Sequence, residues 1–104
     1  MNTPNTTRAF TVGKTDSGWS RKIIDMPIDQ LGEGDVLVQV EFSGINFKDG
    51  LASTESGRIA RIDPLIGGVD LAGTVVESSN ANIKVGSSVI GHGYDIGVAH
   101  HGGF

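Results

Sequence analysis

The chain has 104 residues, enough for one domain, with a net charge of −4 and no cysteine. The charge balance and the lack of a basic run argue against nucleic acid or an anionic membrane as a partner. The missing cysteines exclude disulfides and thiolate zinc sites. No apolar run approaches the roughly 20 residues of a membrane span, and the polar amino end lacks a signal-peptide core. A cytoplasmic location is therefore the default prediction.

The amino-terminal third predicts a tail followed by a β-hairpin. Residues 1–7 are rich in Asn and Thr and are predicted to be flexible. The apolar stretches Arg8–Val12 and Trp19–Ile24 flank a turn at Thr15–Gly18 and predict the two hairpin strands. Met26–Leu31 is predicted to be irregular.

The central part contains the clearest strand and a short helix. Apolar and polar residues alternate over 36–43, which predicts a half-buried strand. Asn46 with Asp49 three residues later is typical of a helix N-cap and its capping-box partner. A short helix is therefore predicted to run to about Ser53, followed by a loop over Thr54–Pro64.

The last third predicts two more strands and a glycine-rich loop. Val69–Glu77 is rich in β-branched residues, and Gly73 within it permits a bend or a close approach of another backbone. Val85–Ile90 leads into the next strand, and Phe104 stands where a further one would begin. The pattern as a whole predicts a mainly β fold with short helices, a partly open barrel or sandwich.

Four stretches in order carry a family resemblance. They are "GEGDVLVQVEFSGINFKDGL" (32–51), "PLIGGVDLAGTVVES" (64–78), "VGSSVIG" (85–91) and "HHGGF" (100–104). They resemble the amino-terminal GroES-like domain of medium-chain dehydrogenases/reductases, and within that superfamily the acryloyl-CoA reductase and quinone oxidoreductase group. The resemblance implies that residues 8–104 form an incomplete, partly open GroES-like catalytic domain. It also implies that the Rossmann NAD(P)-binding domain is absent from the chain.

Within this superfamily the sequence resembles the zinc-independent branch. Zinc-using members have a cysteine at the place of Asn46 and a Gly-His-Glu at the place of Gly68-Val69-Asp70. The resemblance therefore implies NADPH as cofactor of the full-length parent, without zinc, and hydride transfer to a carbon conjugated to a carbonyl. The run Gly91-His92-Gly93 with Gly97 lacks the spacing of a dinucleotide-binding loop.

The resemblance also implies which residues form the site. Asn46 and Asp49 would be the catalytic pair, orienting the nicotinamide or the substrate carbonyl, although they could equally only cap the helix. Phe47 stands where relatives commonly have a tyrosine and would pack against the nicotinamide ring without offering a proton. Lys48 would contact cofactor phosphate or substrate, with a solvated surface role as the alternative.

Other polar residues are weaker candidates. Arg58 and Arg61 would bind the CoA or another anionic part of the substrate, or lie on an ordinary surface. Asp70 is predicted to hold loop backbone near the cleft. His92, His100 and His101 form the only metal-like cluster, but adjacent histidines on a strand point to opposite faces. No metal site is predicted.

The resemblance implies the substrate-side fragment of an NADPH-dependent reductase that acts on an enone, enoyl-CoA or quinone. The isolated chain is expected to be inactive, and the parent is expected to be a homodimer. Surface that faces the second domain should be apolar, so the fragment could self-associate. The alternative is a non-catalytic GroES-like β-barrel that binds or assembles with a partner. Such a module would have no reason to keep the Asn46–Asp49 pair together with Gly67-Gly68. An inactive truncated paralogue is a third possibility.

Overall fold

A computed structural model describes residues 5–104 of the chain. These residues form six strands, one α-helix and one 3₁₀ turn. The elements are β1 (Thr6–Thr15), β2 (Gly18–Pro27), the 3₁₀ turn (Ile28–Gln30), β3 (Val36–Phe42), α1 (Phe47–Ala52), β4 (Leu65–Ile66), β5 (Asp70–Ser78) and β6 (Ser88–His92). The strands make two three-stranded sheets, in the orders β2-β1-β4 and β3-β5-β6. The predicted mainly β fold is confirmed, and the two sheets are not closed into a barrel.

The predicted hairpin is confirmed, but its strands are longer than the apolar stretches suggested. β1 and β2 pair from Thr6 opposite Pro27 to Thr15 opposite Gly18, and Gly18 has a φ of 117° at the turn. Thr6 and Thr7 therefore belong to β1, which corrects their assignment to a flexible tail. Residues 1–4 of that predicted tail lie outside the described residues. The predicted irregular segment is in part the end of β2, whose pairing continues to Pro27.

The second sheet contains the strands predicted from period-two patterning. β3 pairs with β5 through a register that shifts twice, and β5 pairs in turn with β6. Gly73 lies where the backbones of β3 and β5 approach each other closely, since a Cβ at this position would overlap the carbonyl of Gln39. The predicted close approach at Gly73 is confirmed. β6 begins at Ser88 rather than near Val85, which is exposed.

Helix α1 packs against the first sheet through a small apolar core. Ala52 is buried together with Val12 and Leu65. The indole Nε1 of Trp19 donates to the carbonyl of Ser53, the residue that ends the helix, over 2.8 Å. These contacts fix the carboxyl end of α1 on the β1-β2 side of the molecule. No helix among residues 5–104 is long and apolar enough to cross a membrane.

The last three residues lie along β4 and β1. The amides of Gly102 and Phe104 donate to the carbonyls of Ile66 and Gly67 at 2.8 and 2.9 Å. The carbonyl of Phe104 accepts from the amide of Phe10, and the two rings meet edge to face with centroids 6.2 Å apart. The segment thus makes the main-chain contacts of a strand, at the place where the sequence predicts one to begin.

Candidate functional site

The amino end of α1 is capped as the sequence predicts. Asn46 has extended backbone angles (φ −124°, ψ 160°), which places it as the N-cap before the first helical residue, Phe47. The carboxylate Oδ2 of Asp49 accepts a hydrogen bond of 2.8 Å from the backbone amide of Asn46. This contact is the carboxylate half of a capping box and fixes the start of the helix.

Asp49 also connects the helix to the neighbouring sheet. Its side chain is buried, with the residue only 5% exposed, and Oδ1 accepts a hydrogen bond of 2.8 Å from the amide of Val69. Val69 directly precedes β5. Burying a carboxylate costs free energy unless hydrogen-bond donors replace its water. Asp49 receives such donors from two separate segments. The side chain therefore links the start of α1 to the start of β5.

The side-chain amide of Asn46 lies between two carboxylates. Its Nδ2 donates to Oδ2 of Asp49 at 3.3 Å and to Oδ2 of Asp70 at 3.0 Å. Ionised carboxylates only accept hydrogen bonds, so the amide nitrogen, and not its oxygen, must face them. The orientation of the Asn46 amide is therefore fixed by its partners.

Asp70 holds the loop before the helix, as predicted. Its Oδ1 accepts a hydrogen bond of 2.7 Å from the amide of Gly44. A Cβ at position 44 would lie 2.9 Å from that oxygen, so a residue with a side chain would push the carboxylate away. The hydrogen bonds from Asn46 and Gly44 lower the pKa of Asp70, because both stabilise its charged form.

The predicted cofactor-binding residues lie beside this network on open surface. Phe47 is 85% exposed, and its neighbour Ile45 is 90% exposed. Lys48 is exposed on the first turn of the helix. Exposed aromatic and aliphatic side chains at a helix start are available to a flat ligand or to another protein surface.

The predicted substrate-binding arginines occupy a separate loop. Arg58 and Arg61 are both exposed, and the amide of Arg61 donates to the carbonyl of Val98 at 2.8 Å. Within residues 5–104, no hydrogen bond or ion pair joins either guanidinium to the Asn46 network. The structure therefore brings Asn46 and Asp49 together with Asp70. The two arginines lie on a separate loop, and their guanidinium groups form no hydrogen bond or ion pair with this network.

Comparison with known proteins identifies the fold. The family model of the alcohol dehydrogenase GroES-like domain matches residues 32–102, which include all the site residues described above. The chain belongs to this family. The chain is 47% identical over 75 residues to YhfP of Bacillus subtilis, whose name describes a quinone oxidoreductase. It is 39% identical over 93 residues to the acrylyl-CoA reductase AcuI of Ruegeria pomeroyi. These matches cover 72% and 88% of the chain, but 23% and 27% of the relatives.

Two solved structures share the fold of this GroES-like domain. The structure of YhfP with NAD bound superposes with a TM-score of 0.89 at 38% identity, over 96% of the chain and 30% of YhfP. The YhdH oxidoreductase of Salmonella enterica in complex with NADP superposes with a TM-score of 0.87 at 36% identity, over 93% of the chain and 30% of YhdH. The chain thus spans less than a third of the length of each relative. The predicted resemblance to this group of medium-chain dehydrogenases/reductases is confirmed.

Two cavities of this GroES-like domain lie away from the predicted site residues. One, of about 690 Å³, lies between β3 and the last residues, Gly102–Phe104. The other, of about 1360 Å³, lies beside the 3₁₀ turn and His101. Neither is lined by Asn46, Asp49 or Phe47. Since Asn46 and Phe47 are both exposed residues, a ligand there would rest on a surface and would need a second surface to enclose it.

His101 has a structural role that its sequence context did not predict. Its Nδ1 accepts a hydrogen bond of 3.0 Å from the amide of Ile66 in β4. Burial lowers the pKa of His101, because it disfavours the charged ring. Among residues 5–104 no group of three or more His, Asp or Glu side chains could hold a metal ion. The Gly91-His92 pair lies in β6 rather than in a loop.

Proposed function

We propose that this chain forms the substrate-side part of an NADPH-dependent reductase acting on an activated C=C bond or a quinone. The observation that carries the proposal is the side-chain amide of Asn46, an exposed residue that precedes the exposed Phe47 in the chain. Asp49 and Asp70 hold this amide in one orientation. The relatives support the reaction class, since they are named as a quinone oxidoreductase and an acrylyl-CoA reductase. Because the chain spans under a third of them, the nucleotide-binding domain would lie outside these residues.

The described residues fit the nicotinamide end of such a cofactor. The exposed Phe47 ring offers a flat apolar surface, and the amide of the preceding residue, Asn46, offers a polar group of fixed direction. Two neighbouring carboxylates disfavour a phosphate at the same place, so the phosphates would be bound elsewhere, with Lys48 as the nearest exposed cation on α1. NADPH, when bound, supplies the hydride.

Positioning is what this chain's own residues contribute. Asn46 would fix the plane of the group that it meets, and Asp49 and Asp70 would act through Asn46. Phe47 has no hydroxyl, so it cannot donate a proton to the product. We propose that the guanidinium groups of Arg58 and Arg61, which are exposed, meet the anionic part of a CoA thioester.

The test uses the protein encoded by the complete reading frame that contains these residues. NADPH oxidation should be detected with acrylyl-CoA, with a quinone or with both, and should survive dialysis against a chelator. If Arg58 and Arg61 bind the CoA, their double replacement by alanine should raise KM for acrylyl-CoA and leave KM for the quinone unchanged.

Two results would contradict the proposal. A folded protein that oxidises NADPH with neither substrate class is not this reductase. A defined oligomer without reductase activity would instead support the non-catalytic binding module, for which the exposed Phe42, Ile45 and Phe47 would be the contact surface. The cytoplasmic location stays a prediction from the sequence, and the homodimeric parent stays a prediction from the resemblance.

A further inference from the structure

The side-chain amide of Asn46 has no proton left for a ligand. A primary amide carries two N–H donors and one carbonyl acceptor. One donor is directed at Oδ2 of Asp49 (3.3 Å) and the other at Oδ2 of Asp70 (3.0 Å). Both partners lie within the same chain, on α1 and on β5. The carbonyl oxygen of that amide also faces the backbone amide of Asp49 in the capping box. An amide oxygen has two lone pairs, so what Asn46 can still offer to a ligand is the second lone pair of this oxygen.

Both carboxylates already accept hydrogen bonds from backbone amides and therefore face Asn46 as acceptors. Asp70 accepts from Gly44 and Asn46, and these hydrogen bonds lower its pKa. Asp49 accepts from two backbone amides as well as from Asn46. A protonated carboxyl could turn a donor towards Asn46. Each of the four carboxylate oxygens of Asp49 and Asp70, however, already accepts a hydrogen bond from an N–H group. The direction of the hydrogen bonds is therefore fixed.

We propose that Asp70 is a positioning residue which, together with Asp49, makes Asn46 a pure hydrogen-bond acceptor, so that this site selects a ligand carrying an N–H or O–H donor. The inference rests on the proposed function and refines it. Asn46 would not hold a substrate carbonyl, because a carbonyl needs a donor. On a nicotinamide cofactor the matching donors are the carboxamide N–H and the hydroxyls of the adjoining ribose.

Cofactor analogues that lack one donor test this in the complete protein. The acetylpyridine analogue of NADPH keeps the ring and the carbonyl but has no carboxamide N–H, and a cofactor with a deoxygenated nicotinamide ribose lacks the hydroxyl. Loss of one neutral hydrogen bond corresponds to roughly threefold to tenfold weaker binding. One of the two analogues should show that loss with the native protein and not with the Asn46→Ala variant. The analogue that does so identifies the donor.

Variants of Asp70 separate positioning from folding. Asp70→Asn leaves one acceptor oxygen for two donors, so Asn46 should become free to turn, and the discrimination between NADPH and the analogue should fall towards that of Asn46→Ala. Asn80→Ala is the matched control, because Asn80 also donates to a carboxylate, Asp35, at 3.0 Å on a distant part of the surface. It should leave the discrimination unchanged.

A measurement on the 104-residue chain itself needs no cofactor. Both side-chain amide protons of Asn46 should exchange slowly with solvent in an NMR spectrum, and more slowly than those of Asn80. Asp70→Asn should release at least one of them. Fast exchange of both protons in the native chain overturns the inference. The inference is also overturned if the protein turns NADPH over but binds both analogues as tightly as NADPH. That outcome leaves the proposed function intact. Failure of NADPH turnover refutes the proposed function, while the exchange rates still decide the hydrogen-bond arrangement.

Discussion

Replacing Asp49 by alanine should destabilise the chain far more than the loss of a surface cap would. The carboxylate accepts from the backbone amides of Asn46 and Val69, each at 2.8 Å, and is almost fully buried. Alanine would leave both amides without this acceptor, at about 1–3 kcal/mol for each one that stays buried. We therefore expect a loss of about 2–6 kcal/mol, against about 1 kcal/mol for a simple helix cap. Small domains have only about 5–15 kcal/mol of stability, so the loss would be large.

Urea unfolding followed by tryptophan fluorescence would measure this loss. Trp19 is the only tryptophan in the sequence, and its indole bonds the carbonyl of Ser53 at the end of α1, so it should report on the helix directly. Asp49→Asn keeps one acceptor oxygen and should lose an intermediate amount. Asp16→Ala in the exposed hairpin turn is the control, with an expected change within about 0.5 kcal/mol. If Asp49→Ala costs no more than Asp16→Ala, the carboxylate does not link the helix to β5 as argued.

Three further outcomes are expected. Burial lowers the pKa of His101, so on acidification the unfolded chain takes up a proton before the folded chain does. The free energy of unfolding should therefore decrease as the pH falls below about 6.5. Urea titrations at several pH values between about pH 7.5 and pH 5 should show a weaker decrease for His101→Gln. Gly73→Ala should lower the stability by about 1–3 kcal/mol, because the added methyl group would overlap with β3. Gly50→Ala in α1 meets open space and should raise the stability by about 0.5–1 kcal/mol. Melting curves of the two variants would measure both changes. The 104-residue chain alone should bind NADPH more weakly than micromolar in a calorimetric titration, since most dinucleotide contacts come from a phosphate-binding loop and helix.

Local patterns predicted the elements that are built from neighbouring residues. The alternation over 36–43 predicted β3, and Asn46 with Asp49 predicted the capped start of α1. Both signals work because the residues involved are within one strand or one helical turn of each other. β4 gave no such signal, because a two-residue strand has no period. Its place is fixed by pairing with β1.

The decisive contacts of the candidate site join residues that are distant in sequence. Asn46 meets Asp70 24 residues later, and His101 meets Ile66 35 residues earlier. No pattern of residue types links such partners, because their proximity results from the packing of whole strands. The sequence predicted that Asp70 holds loop backbone, but not that it shares an amide with Asp49. The sequence did not predict to which side of the chain the His101 ring would point. In the structure the ring packs against β4.

The close fit between Gly44 and Asp70 has a consequence for how related chains can diverge. Any side chain at position 44 would collide with the carboxylate at position 70, and any shorter residue at position 70 would release both the loop and the Asn46 amide. A substitution at either position therefore disturbs the contact that the other position makes. We expect the two to covary among homologues: glycine at 44 should accompany aspartate at 70. Lineages that give up the aspartate should accept larger residues at 44 and should differ in what they recognise beside the helix.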